Sequence, residues 1–102
     1  MYPIEWPVPS ATDTFATIYG VSTLALAANP RRQDTEFVND STLWIYLARG
    51  NAAVVGSGIP LSPRGGSYTI GAHNLFLGNV YAIHTGGEQV EANLAISEGH
   101  KP

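Results

Sequence analysis

The chain has 102 residues, 44% of them hydrophobic and only 13% charged, with a formal net charge of −3. That length is one domain, and the five cations form no basic stripe, which excludes sequence-independent phosphate binding and with it a nucleic-acid partner. With no cysteine, disulfides, thiolate nucleophiles and thiolate zinc sites are excluded together.

Residues 1–12 are expected to form an extended arm. Pro3, Pro7 and Pro9 alternate with Tyr2, Ile4, Trp6 and Val8, and proline fixes φ and pushes the preceding residue to extended geometry. The start is expected to be no signal peptide, because it lacks a basic segment and its prolines interrupt any apolar core. No apolar run approaches the roughly 18 residues that span a bilayer, so no membrane partner is expected. An arm carrying Tyr2, Ile4, Trp6 and Val8 needs a hydrophobic surface, either on its own domain or on a neighbouring subunit.

From residue 13 the pattern has period two with frequent punctuation. Thr14 to Val21 is rich in β-branched and aromatic residues, with Gly20 marking a bulge or bend. Ser22 to Ala28 puts Leu24 and Leu26 on one face; a short helix is compatible with it, but Asn29-Pro30 ends the segment. Asp34 to Val38 alternates, and Asn39-Asp40-Ser41 is a turn cluster. Thr42 to Ala48 is the clearest strand, with Leu43, Ile45 and Leu47 on one side and Thr42, Trp44 and Tyr46 on the other. Ala52 to Val55 and Ile59 to Leu61 read as short strands separated by Gly56-Ser57-Gly58. Tyr68 to Ile70, Asn79 to His84 and Gln89 to Ser97 complete the set, the last with Ala92, Leu94 and Ile96 on one face. Residues 99–102 read as a flexible tail.

Short strands with turn signals every eight to twelve residues or so, and no sustained helical period, predict an all-β domain over residues 13–98. The expected architecture is a small antiparallel β-sandwich, jelly-roll-like, or a barrel, preceded by the proline-rich arm. The stretch Ser62-Pro63-Arg64-Gly65-Gly66-Ser67-Tyr68 has the composition of a phosphate loop, but it lacks the lysine and leads into a strand rather than a helix. It is expected to be a tight hairpin turn, with Pro63 supplying its fixed φ and glycine a positive one.

Candidate chemistry is sparse. His73, His84 and His100 show no metal-ligand spacing, so no metal or other cofactor is expected; His84 and Glu88 flank a glycine turn. Asp34, Glu36 and Asp40 lie near Arg31 and Arg32 and read as surface ion pairs worth under about 1 kcal/mol each. No nucleophile motif is present, and no catalytic residue is assigned: the expectation is a protein that is not an enzyme. Trp44 and Tyr46, opposite the core face of their strand, predict either an interface or an aromatic platform for sugar rings. The expected interface residues are therefore Tyr2, Ile4, Trp6, Val8, Trp44 and Tyr46.

The order of turns and strands carries a resemblance. Asn29-Pro30-Arg31-Arg32 is followed by a strand ending at Asn39, by Tyr46 with Gly50, by Gly58 to Leu61, by Pro63 to Tyr68, and by Gly78 to Ile83. This scheme, over about two thirds of the chain, resembles small tailed-bacteriophage virion proteins; the arm lies outside it. The resemblance implies a structural protein of the virion, a capsid decoration (cement) protein on the capsid exterior that stabilises the major capsid protein shell. Local three-fold points of such a shell suggest a homotrimer. A phage adhesion or fibre module binding host-surface glycan is the alternative it leaves open.

Overall fold

The computed structural model describes residues 7–101. The described chain forms eight strands and no helix: β1 (Ser10–Ile18), β2 (Thr23–Leu26), β3 (Arg32–Asp40), β4 (Ile45–Arg49), β5 (Ile59–Leu61), β6 (Ser67–Ile70), β7 (Val80–His84) and β8 (Ala92–His100). They pair antiparallel in two four-stranded sheets, sheet I in the order β1-β8-β3-β6 and sheet II in the order β2-β7-β4-β5. Every connection except β4–β5 crosses from one sheet to the other. This is the strand order of a jelly roll, in which two Greek keys wrap into a sandwich.

The core follows the period-two pattern. Phe37 of β3 and Leu94 and Ile96 of β8 face Ile45 and Leu47 of β4 and Val80 and Ala82 of β7, with Ile18, Leu61 and Ile70 filling in between. Leu43 packs against this cluster although it is outside β4. Its N–H is 3.2 Å from Ser41 Oγ and its carbonyl accepts from Asn39 Nδ2 at 2.7 Å, so the β3–β4 turn holds it and the strand starts at Ile45 instead of Thr42.

Three further segments differ from their sequence expectation. Ser22–Ala28 contains strand β2, with a bulge between Leu24 and Leu26, and no helix. Ala52–Val55 is loop, not strand: the Ala53 N–H donates to Ser22 Oγ at 2.8 Å and Ala53 is buried. Of the apolar residues in this loop only Ala53 packs; Ala52, Val54 and Val55 stay exposed. Strand β8 starts at Ala92 and runs to His100, which stands opposite Ser10 at the start of β1. Residues 10–12 and 99–100, placed by composition in the arm and the tail, are thus strand.

The glycine-rich turn joins β5 in sheet II to β6 in sheet I. It is an arch between the sheets rather than a hairpin, and a strand follows it. Arg64 (φ 58°) and Gly65 (φ 122°) both take positive φ. A Cβ on Gly66 would lie 2.2 Å from Ser62 N, so no side chain fits. The Arg64 and Gly65 N–H groups donate to the Ser41 and Asn39 carbonyls, each at 2.8 Å, which stitches the arch to the β3–β4 turn.

Candidate interaction surfaces

Sheet II presents an uncharged outer face. Side chains alternate across a strand, so the residues between the buried Ile45 and Leu47, or Val80, Ala82 and His84, point out. Tyr46 lies opposite Ile83 on β7 and Pro60 on β5. Tyr81 lies opposite Ala48 on β4 and Leu24 on β2. Among the four strands of this sheet the single charged residue is Arg49, at the end of β4, whose guanidinium sits 6.0 Å from the centre of the Phe76 ring. The Ser22–Ala53 bond gathers more apolar surface: Val21, Leu24, Val54 and Val55, all within two residues of it, are exposed.

Sheet I presents the opposite chemistry. Asp13, Ser97, Glu36 and Thr69 form one row across β1, β8, β3 and β6. Asp34 lies beside Gly99 and Asp40 beside Asn93. Ser97 Oγ donates to Asp13 Oδ1 at 2.6 Å, and the Gly99 N–H donates to Asp34 Oδ1 at 3.0 Å. The strands of this sheet contribute four outward carboxylates and no outward cation. Phe15, Ala95 and Val38 form an apolar row within that polar field.

The expected surface pairing of Arg32 is corrected. Arg32 has the parity of the outward Asp34, Glu36 and Asp40, but the bulge between Arg32 and Asp34 turns it inward, 1% exposed. Its Nε donates to Glu98 Oε2 at 2.7 Å, Nη1 to the Phe76 and Gly78 carbonyls at 2.6 and 3.1 Å, and Nη2 to the Ala27 carbonyl at 2.7 Å. One guanidinium thus closes one end of the sandwich. His84 is also buried. Its Nδ1 accepts from the Gly86 N–H at 2.9 Å, so the proton belongs on Nε2, which donates to the Val90 carbonyl. Its role is to hold the β7–β8 turn, and its ring atoms bond to backbone rather than to Glu88. Among the described residues no group of three or more His, Cys, Asp or Glu side chains could hold a metal.

Of the expected interface residues, Tyr2, Ile4 and Trp6 lie outside the described residues. Val8 is half-buried on its own domain, so close to β8 that a Cβ on Gly99 would sit 2.5 Å from its Cγ1. Trp44 is 44% exposed just before β4, and Tyr46 is half-buried two residues on. Sequence reasoning missed Phe15, the most exposed large hydrophobic at 65%, and the Val54-Val55 pair. Phe15 was legible as the outward neighbour of the inward Ala16; Val54 and Val55 were not, because their expected strand does not form. Together these features define a jelly-roll sandwich with one acidic and one uncharged face. No family model, no curated protein and no solved structure matches the chain.

Proposed function

We propose that the protein is a non-enzymatic structural protein of a tailed-phage virion, a capsid decoration protein that self-associates and seats on the outside of the major capsid protein shell. The observation that carries this reading is the outer face of sheet II, where aromatic and aliphatic residues stand without a carboxylate or a cation. Such a face loses little by desolvation, and burial contributes about 25 cal/mol per Å² of apolar area. Many copies on one shell multiply a modest contact. The acidic face of sheet I suits the side left to water. Jelly rolls build viral capsid and lectin domains among others, an analogy of fold that adds support without deciding function.

The test adds purified protein to shells stripped of it and measures occupancy by co-sedimentation. Tyr46→Lys is expected to abolish decoration while the double variant Glu36→Gln, Asp40→Asn decorates fully. Full occupancy by Tyr46→Lys would refute the docking face.

A second reading rests on Trp44. Its exposure beside Tyr46 leaves an indole free to stack on a pyranose ring of host-surface glycan, as an adhesion module requires. Sugar-dependent quenching of tryptophan fluorescence, lost in Trp44→Ala, would favour this reading over the shell.

A further inference from the structure

The four edge strands of the two sheets are not protected alike. Natural sheets blunt an edge by keeping it short or by placing a bulge, a proline or a lysine on it. Strand β5 has three residues with Pro60 in the middle, β2 has four residues and a bulge, and β6 has four residues. Strand β1 has nine residues, pairs with β8 in an unbroken register, and contains no proline or cation. No other described segment pairs with its free side. Phe15 stands one residue past its midpoint, 65% exposed.

We infer that β1 is a self-association edge and that its occupant is β1 of a second copy. The two strands pair antiparallel about a two-fold axis through Phe15, joining the two copies of sheet I into one eight-stranded sheet. An isologous contact brings each residue i opposite 30 − i of the partner. This register stacks Phe15 on the partner's Phe15 and sets Asp13 against Thr17 of the partner subunit. A register centred on Asp13 would oppose two carboxylates, which is destabilising. The paired span runs from Thr12 to Ile18, so Pro9, which cannot donate, falls outside it. The contact makes dimers; the homotrimer implied by the sequence resemblance would need a different one. It is independent of the virion assignment, because it uses neither the face of sheet II nor any shell.

The chain has no cysteine, so single-cysteine variants of the full chain report the register directly. Directly opposed residues in an antiparallel pair have Cα atoms about 4.5–5.5 Å apart, within the span of a disulfide. Phe15→Cys is expected to cross-link to a covalent dimer under mild oxidation. Thr17→Cys is not, because the two Thr17 positions lie about 14 Å apart along the strands. By sedimentation equilibrium the unmodified protein should show twice its 10.8 kDa mass. Phe15→Lys, with an unchanged circular dichroism spectrum, should weaken the dimer at least about tenfold. A monomer or a trimer in solution, equal cross-linking at positions 15 and 17, or an undiminished dimer in Phe15→Lys would each overturn the inference. None of these results bears on shell occupancy, which tests the proposed function separately.

Discussion

Sheets I and II share one apolar core and present opposite chemistry outside. Asp13, Asp34, Glu36 and Asp40 all project from sheet I, whereas the outward positions of sheet II hold Leu24, Tyr46, Ala48, Pro60, Tyr81 and Ile83. The low overall charge of the chain is thus not spread evenly. It is a consequence of one face having none. An antiparallel sheet with one solvated face normally alternates apolar and polar along each strand. Sheet I follows that rule outside the row of Phe15, Ala95 and Val38, and sheet II breaks it, which is the contrast the proposed docking face rests on.

The largest expected effect concerns what both sheets share. Arg32→Ala removes the donor to Glu98 and to three loop carbonyls at the closed end. Breaking such a buried pair costs about 3–5 kcal/mol, read as a lower denaturant midpoint. Arg32→Lys should recover only a part of it, since a single ammonium cannot reproduce the fork of donors. A loss below about 1 kcal/mol would mean that the loops hold themselves.

Next comes the turn that connects the sheets. Asn39 is fully buried; Nδ2 donates to the Leu43 and Leu61 carbonyls at 2.7 and 3.0 Å, and Oδ1 accepts from Ser41 Oγ at 2.7 Å. Asn39→Ala removes the buried donor to the Leu61 carbonyl, while the Leu43 carbonyl keeps Ser41 Oγ at 3.2 Å, and should cost about 1–3 kcal/mol, with the protection of the Arg64 and Gly65 amides against hydrogen exchange falling in parallel.

The smallest stability effects separate the two faces most cleanly. Tyr46→Lys and Glu36→Gln should both change unfolding free energy by under about 1 kcal/mol, as outward substitutions do. Their effects on assembly should diverge, large for the first and absent for the second. Equal effects would show that the contrast between the faces has no functional content. Raising salt sharpens the same contrast, since screening relieves repulsion between acidic faces. The β1 dimer should tighten slightly from low to moderate ionic strength, while docking through sheet II should respond little.

Much of the fold was legible in the chain. Ala92, Leu94 and Ile96 on one side of their strand, or Ile45 and Leu47 opposite Trp44 and Tyr46, state an all-β sandwich through the two-residue period, because side-chain direction alternates whatever the neighbours are. Turn chemistry was equally local, so Pro63 to Gly66 read as a turn from its own φ requirements. Polar residues at inward positions were not legible. Asn39 keeps the inward parity of Thr35 and Phe37 and Arg32 is turned in by a bulge, and their burial becomes favourable only when distant carbonyls from Ala27, Phe76, Gly78, Leu43 and Leu61 converge on them.

By itself, the sequence determined the class of fold, the strand faces and the scarcity of charge, since these depend on backbone period and side-chain chemistry alone. Only the tertiary structure decided which strands are neighbours, and hence that the outward carboxylates share one sheet, that the outer face of the other carries no charge, and that no other described strand pairs with the free side of β1. The physical reason is that strand order is set by non-local pairing and loop closure between residues far apart in the chain, such as Ser10 and His100, which no local pattern encodes.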